Sequence, residues 1–292
     1  MPESENRKQK TENRYLILGA GALGSVFGGL LRHAGHPVTF MGRGPHFKAI
    51  KTQGLVIDGI WGEFRLGPVP TPAQALKGGA SEEYDVILLC VKSFDTLAAC
   101  RQVRGRLAPD GLIISMQNGL GNLEVIAREC GEARTIGARV IFGAQVPAPG
   151  RVTVTVYADK VLLGAISPET SKPKLTLVAE HLNRAAIPTA VVGDILSHLW
   201  GKVLYNCALN PLGAILGAPY GSLGDNPQTR QLMRLIIEEI YRVAQARAVA
   251  LNPPEAGAYF RHFMTNLVPP PRPIGLPCGR TWRPAGAPKS RP

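Results

Sequence analysis

The chain has 292 residues, a length that suits two domains of ordinary size. Hydrophobic residues make up 45% of it, which is normal for a globular protein that buries a core. The net charge is +12, but the basic residues are scattered rather than striped, so the charge favours anionic small molecules over a nucleic-acid partner. The cysteines are widely spaced and form no CxxC pair, which indicates free thiols in a reducing compartment and argues against a metal site.

No membrane or export segment is predicted. The stretch Met1–Arg14 is charged and has no apolar segment of the secretory type. No apolar run is long enough to span a bilayer. We therefore expect a cytoplasmic protein with no membrane partner.

Short apolar runs alternate with helical stretches in the first part of the chain. Buried strands are predicted at Tyr15–Leu18, Pro37–Met41, Asp85–Val91 and Gly111–Met116. Helical segments such as Ala22–His33 and Leu123–Glu129 lie between them. This alternation predicts a parallel sheet covered by helices on both faces. Arg151–Val156 and Lys160–Leu163 are predicted to form a hairpin that closes this domain.

The sequence becomes helical after this domain. Asp194 is the predicted N-cap of a helix over Ile195–Asn210, and Thr229–Ala250 has a second long helical period. The C-terminal segment is rich in Pro, Gly and Arg without periodicity, a composition typical of disorder. The predicted boundaries are a disordered N-terminus at 1–13, an α/β domain at 14–190, a helical domain at 191–267 and a disordered tail at 268–292.

A GxGxxG motif follows the first predicted strand and opens the first helix. It comprises Gly19, Ala20, Gly21, Ala22, Leu23 and Gly24. In a dinucleotide-binding loop the first glycine permits the tight turn, the second lets the backbone approach the pyrophosphate, and the third lets the helix pack closely on the strand. The helix N-terminus favours the phosphate charge. The strand–turn–helix context disfavours the alternative of a glycine-rich turn without a ligand, so the motif predicts a Rossmann-type domain.

The end of the second strand indicates which dinucleotide binds. An NAD site places an Asp or Glu there, but this strand runs into Gly42, Arg43 and Gly44. A guanidinium suits a 2′-phosphate because it is a permanent, forked cation. Unless Arg43 is only a solvated loop charge, this pattern favours NADPH.

Two further polar residues follow predicted strands, whose carboxyl ends border the ligand crevice of such a sheet. Lys92 can meet the cofactor or an acidic substrate, and its alternative is an ordinary surface lysine. Asn118 offers both a donor and an acceptor, and its alternative is a turn-forming Asn-Gly pair.

The first helix of the second domain carries a polar stripe. Lys202, Asn206 and Asn210 are spaced at i, i+4 and i+8, so they share one face. The stripe could be a solvated face, but Asn is a poor residue inside a helix and Pro211 breaks the hydrogen-bond ladder beside it. Amides and one amine suit recognition of a keto acid, and Lys202 could protonate the alkoxide formed as hydride arrives, a contribution of about 10²–10⁴-fold.

Together these residues resemble the ketopantoate reductases, within the wider 6-phosphogluconate-dehydrogenase-like group. The resemblance runs from about Tyr15 to about Leu267, and the spacing of Lys202, Asn206, Asn210 and Pro211 is its most specific part. It implies an NADPH-dependent reduction of 2-dehydropantoate to pantoate, a step toward coenzyme A, with Lys202 as the proton donor. It implies that Asn118, Asn206 and Asn210 bind substrate, that Asn118 also lies near the nicotinamide, and that Arg43 and Lys92 hold the NADP. The family includes monomers and dimers, so a homodimer is left open.

Two departures from the family stand out. Tyr220 occupies a position where the family often has Asn, which leaves the preferred keto acid open. After Leu267 the family continues with a Ser-Ser-Met segment, a Gly-Arg pair and an active-site Glu, none of which is in place here. Read one base back, the codons from Ile274 can encode His-Arg-Ser-Ser-Met, so we hypothesise a frameshift near Pro271–Pro273 that the coding DNA would test.

Four functions follow in order of preference. The first is ketopantoate reduction, with activity impaired if the altered C-terminus matters. The second is reduction of another 2-keto acid or an imine, which a substrate panel separates from the first. The third is a catalytically inactive NADP-binding protein, recognised by cofactor binding without turnover. The fourth, nucleic-acid binding, has only the basic charge in its favour.

Overall fold

A computed structural model describes residues 13–72 and 82–268. The chain divides between Ile195 and Leu196 into two compact units. The disorder predicted for 1–12 and 269–292 and the proposed frameshift lie outside the described residues. The predicted start of the disordered tail at Val268 is wrong, because Val268 is buried and packs in the core of the second unit.

The first unit alternates strands and helices along the chain, and its elements are numbered in chain order. The strands are β1 Tyr15–Leu18, β2 Val38–Met41, β3 Leu55–Gly59, β4 Phe64–Leu66, β5 Tyr84–Leu89, β6 Leu107–Ser115, β7 Thr135–Ala148, β8 Arg151–Ala165 and β9 Thr189–Val191. The helices are α1 Ala22–His33, α2 Gly44–Thr52, α3 Thr96–Val103, α4 Asn122–Cys130 and α5 Lys172–Arg184.

The described strands form one mixed sheet in the order β2-β1-β5-β6-β7-β8-β3-β4, with β9 paired to β8. The β2, β1, β5, β6 and β7 strands run parallel, as the alternation of elements predicts. β7 and β8 are antiparallel, and β3 is parallel to β8. The chain goes from β1 outward to β2 and later returns to the other side of β1, and this reversal creates the crevice where ligands bind in such sheets.

Helix α1 lies at the centre of this unit. It contacts β1 and β2 at one part of the sheet and β3, β4, β7 and β8 at another. Every residue from Gly24 to Leu31 is buried, so the helix is enclosed on nearly all sides. Its apolar side chains belong to the main hydrophobic core, and this packing fixes the position of the helix N-terminus.

The predicted hairpin within 151–163 is wrong. Arg151–Ala165 is one continuous strand, and its antiparallel partner is Thr135–Ala148. The polar pair Asp159 and Lys160 reads as a turn in sequence, but Asp159 Oδ2 accepts a 2.5 Å hydrogen bond from Arg139 Nη2 on β7. The register shifts near this pair, so an irregularity within the strand replaces the expected turn.

The second unit is helical. Its helices are α6 Ile195–Leu216, α7 Tyr220–Asp225, α8 Pro227–Ala246 and α9 Ala256–His262, and a π-helical segment, Phe263–Leu267, follows. Leu204, Ala208 and Leu209 of α6 pack with residues of α8, α9 and the π-helical segment to form its core. In the described residues no helix is long and apolar enough to cross a membrane.

Candidate functional site

Four loops meet at one edge of the sheet because the parallel strands end in register. Leu18 pairs with Met41 on one side and with Leu89 on the other, and Leu89 pairs with Ser115. The residues that follow these strand ends therefore lie side by side. They are the glycine-rich loop 19–24, Gly42 and Arg43, the segment 90–95 and the segment 116–121.

The glycine-rich loop has the geometry that the motif predicts. Gly19 has a φ of +104°, and a Cβ there would lie 2.6 Å from the carbonyl carbon of Cys90. A Cβ on Gly24 would lie 2.1 Å from the Gly19 carbonyl oxygen, so the helix packs closely on the turn. A Cβ on Gly21 would meet no atom within 4 Å. The first and third glycines are thus required by the protein itself, whereas the open space beside Gly21 fits an approaching phosphate.

A half-buried histidine supports the first turn of α1. The Nδ1 atom of His46 accepts a 3.1 Å hydrogen bond from the Gly150 backbone N–H, and its Nε2 lies 2.9 Å from Ser25 Oγ. Burial lowers the pKa of His46, which keeps the ring neutral and able to accept at Nδ1. Through these two hydrogen bonds, His46 on α2 links Ser25 of α1 to Gly150 in the turn between β7 and β8.

Arg43 lies at the end of β2, where a 2′-phosphate site was predicted. Its side chain is 82% exposed, and its Nη2 atom donates a 2.5 Å hydrogen bond to Asp95 Oδ2. Asp95 closes a short 3₁₀ turn, Ser93–Asp95, directly after Lys92. Asp95 was not predicted, since no local sequence pattern shows that the segments after β2 and β5 approach each other.

Lys92 and Asn118 are both exposed at this edge. The Asn118 backbone carbonyl accepts from Asn122 Nδ2 at 3.1 Å and from Ser93 Oγ at 3.3 Å. These contacts fix the main chain on both sides of the predicted ligand-binding residues. The structure therefore places Lys92 and Asn118 at the same edge of the sheet. Hydrogen bonds to the Asn118 carbonyl hold the two loops that carry them.

A buried amide network, which was not predicted from the sequence, holds these loops together. Gln117 Nε2 donates to the Val91 carbonyl at 3.0 Å and to Thr96 Oγ1 at 2.8 Å. Ser115 Oγ donates to Gln117 Oε1 at 3.1 Å. Thr96 Oγ1 also lies 3.0 Å from Asn122 Oδ1. The only sequence signal was a run of polar residues directly after a buried strand.

In the second unit the polar stripe occupies one side of α6. Lys202 and Asn206 are partly buried and Asn210 is exposed, whereas Leu204 and Leu209 are buried in the core. Pro211 lies inside the helix, as the sequence shows. The Tyr220 hydroxyl at the start of α7 donates a 2.6 Å hydrogen bond to Asn210 Oδ1. Lys202, Asn206 and Asn210 thus share one helix, whereas Asn118 lies with the predicted cofactor residues at the sheet edge of the other unit.

The fold and the loop geometry define a protein with a Rossmann-type α/β unit followed by a helical unit. The family described as "Ketopantoate reductase PanE/ApbA" matches residues 15–168, and "Ketopantoate reductase PanE/ApbA C terminal" matches residues 194–273. The chain belongs to the ketopantoate reductase family. The predicted family and the predicted fold class are both confirmed.

Similar proteins span most of the chain. A 2-dehydropantoate 2-reductase of Aquifex aeolicus is 36% identical over 261 residues, which cover 88% of this chain and 80% of that protein. The crystal structure of 2-dehydropantoate 2-reductase from Geobacter metallireducens superposes with a TM-score of 0.74 at 28% identity and covers 86% of this chain and 81% of that one. A ternary structure of D-mandelate dehydrogenase with NADH and anilino(oxo)acetate has a TM-score of 0.74 at 20% identity, over 87% of this chain and 81% of that one. At that identity the likeness shows the fold alone.

Proposed function

We propose that this protein reduces 2-dehydropantoate to pantoate with NADPH, a step toward pantothenate and coenzyme A. The observation that carries the proposal is the sheet edge that collects Gly21, Arg43, Lys92 and Asn118 in a chain of the ketopantoate reductase family. The identity of 36% with a 2-dehydropantoate 2-reductase supports the substrate. The free thiols of Cys90, Cys100, Cys130 and Cys207 suit a reducing cytoplasm.

The residues present fit a dinucleotide phosphate. Gly21 leaves open space at the N-terminus of α1, where backbone N–H groups favour an anion. The Arg43 guanidinium suits the 2′-phosphate. Loop 42–44 contains no carboxylate that could accept a hydrogen bond from a ribose 2′-hydroxyl. We therefore assign NADPH as the reductant. Bound there, it would supply a hydride to the C2 carbonyl carbon of the keto acid.

Lys202 is the residue to which we assign proton donation. Reduction of a ketone to an alcohol adds one hydride to carbon and one proton to oxygen, and a lysine ammonium carries a proton to give. The proton from Lys202 Nζ goes to the former carbonyl oxygen, and the neutral amine regains it from solvent. Positioned proton transfer of this kind contributes about 10²–10⁴-fold to the rate.

The amides of the site are assigned to substrate binding. Asn206 and Asn210 lie one and two turns from Lys202 on the same helix, so they can bind the acid while the ammonium serves its keto oxygen. Asn118 is assigned to both substrate and cofactor because it follows the strand next to the Lys92 loop. The proposed ligand is thus a small keto acid.

The test is 2-dehydropantoate-dependent oxidation of NADPH by the purified chain, with NADPH binding measured in the same sample. Lys202→Ala should lower kcat by about 10²-fold or more and leave the Kd for NADPH unchanged. Lys174→Ala is the matched control, since this lysine lies in the first unit and its Nζ bonds the Asp110 carbonyl. NADPH binding without turnover in the parent chain would contradict the proposed function.

A further inference from the structure

In the second unit, a hydrogen bond between Tyr220 and Asn210 joins two consecutive helices. The hydroxyl of Tyr220 donates to Asn210 Oδ1 at 2.6 Å, across the loop that joins α6 to α7. Asn210 lies beside Pro211 on α6, and the loop between α6 and α7 contains only residues 217–219. The partners therefore come from two consecutive helices whose relative position the short loop restrains.

The Tyr220 ring is held in place from two sides. A Cβ on Gly213 would lie 3.1 Å from its Cε1 atom, so the ring lies against the backbone of α6. Its centroid is 6.3 Å from that of Tyr205, at an interplanar angle of 83°. Tyr205 in turn makes an edge contact with Phe263, which is fully buried in the core of this unit. The hydroxyl is thus fixed through its ring rather than carried on a flexible side chain.

The contact determines which end of the Asn210 amide is offered to a ligand. An amide has an acceptor oxygen and a donor nitrogen with two hydrogens, and rotation about its last torsion exchanges them. Because Oδ1 faces the Tyr220 hydroxyl and accepts from it, Nδ2 is the end of the amide that is turned away and left to donate. A carboxylate has only acceptors, so it requires this orientation.

We infer that Tyr220 is a positioning residue that holds the Asn210 amide with its N–H donors toward the carboxylate of the keto acid. This inference rests on the proposed function and names the recognition element for the acid group. The carboxylate does not react, so its binding is the same in the ground state and the transition state. Loss of the contact then raises KM and leaves kcat nearly unchanged.

The experiment is a double-mutant cycle on steady-state kinetics. Tyr220→Phe keeps the ring and removes the hydroxyl, and it should raise KM for 2-dehydropantoate by about 3- to 10-fold with kcat within about twofold. Asn210→Ala should raise KM more. Tyr220→Phe should add no further loss in the Asn210→Ala background, because it acts only through that amide.

Two further variants separate positioning from folding. Tyr241→Phe is the matched control, because its hydroxyl donates a 2.7 Å hydrogen bond to the Pro253 carbonyl in the same unit and not to Asn210. It should lower the melting temperature as Tyr220→Phe does without changing KM. Asn210→Asp keeps an acceptor for Tyr220 but replaces the donor end with negative charge, so it should raise KM more than Asn210→Ala.

A substrate without the terminal hydroxyl identifies the recognised group. With 3,3-dimethyl-2-oxobutanoate, which keeps the carboxylate, the Tyr220→Phe penalty should persist. A penalty that disappears with this compound, or that is additive with Asn210→Ala, overturns the inference while the parent activity leaves the proposed function intact. A parent chain that oxidises NADPH with neither compound overturns the proposed function and the inference with it.

Discussion

Two glycines of the cofactor loop should respond in opposite ways to the same added methyl group. In Gly21→Ala the new Cβ meets no protein atom within 4 Å, and the φ of −84° is accessible to alanine. Reduced freedom of the unfolded chain stabilises by about 0.4–1 kcal/mol. Loss of glycine as the helix N-cap residue costs a similar amount, about 0.5 kcal/mol. The free energy of unfolding should therefore change by no more than about 0.5 kcal/mol.

The cofactor should respond strongly to this change. The methyl group would occupy the open space that the pyrophosphate has to enter, and forcing an extra carbon into a packed contact costs about 1–3 kcal/mol. This converts to a rise in the Kd for NADPH of about 5- to 150-fold. Gly24→Ala is the counterpart, because its Cβ would lie 2.1 Å from the Gly19 carbonyl oxygen. It should cost about 1–3 kcal/mol of stability by displacing α1.

The assay is a fluorescence titration with NADPH beside thermal unfolding of the ligand-free proteins. Gly21→Ala should have the melting temperature of the parent protein but bind NADPH weakly. Gly24→Ala should melt several degrees below the parent. If Gly21→Ala binds NADPH as tightly as the parent, the pyrophosphate does not approach Gly21 and the proposed cofactor position is wrong. A melting point of Gly24→Ala equal to that of the parent would refute the packing argument.

Three other perturbations test the site and its support. Asp95→Asn removes the carboxylate that pairs with Arg43 and should lower the Kd for NADPH by about 2- to 5-fold, the range of an exposed ion pair. An equal fall in the Kd for NADH in the same titration would contradict a role of Arg43 at the 2′-phosphate. Gln117→Ala leaves buried acceptors without their donor and should cost about 1–3 kcal/mol in urea unfolding, whereas an unchanged midpoint would show that the network is not stabilising. Burial, with neighbouring histidine and arginine charges, lowers the pKa of His181 from its ordinary 6.5 to about 4, so the unfolded chain takes up this proton first. Stability should therefore fall by up to about 3 kcal/mol as pH drops from 6.5 to 4, and His181→Gln should flatten that slope.

The cofactor half of the site could be predicted from sequence because its signals are local. Gly19, Gly21 and Gly24 stand at fixed spacing after an apolar run, and each spacing has one geometric reason. Arg43 and Lys92 could be placed at the same edge because parallel strands end together. Asp95 could not be found in this way, since its contact with Arg43 joins residues 52 positions apart in the segments that follow two non-adjacent strands, β2 and β5.

Periodicity was less informative about the helical unit. Leu232, Leu235 and Val243 contribute to the helical pattern of α8, yet they are 46%, 49% and 47% exposed. The face that α8 buries runs instead through Met233, Ile237 and Ala244. An apolar pattern on two faces fixes the element but not which face the neighbouring helices cover, because that choice depends on tertiary packing. The predicted end at Ala250 was also late, since the helix ends at Ala246.

The division of the chain between Ile195 and Leu196 makes the two halves of the proposed chemistry separable by mutation. The residues assigned to the dinucleotide lie in the first unit, and Lys202, Asn206 and Asn210 lie in the second. A change confined to the loop, such as Gly21→Ala, should then alter the Kd for NADPH without altering the order in which keto acids are preferred. A change on α6 should alter that order without altering the Kd for NADPH. A Gly21→Ala variant that changes the order of keto-acid preference, or an α6 variant that changes the Kd for NADPH, would contradict this separation.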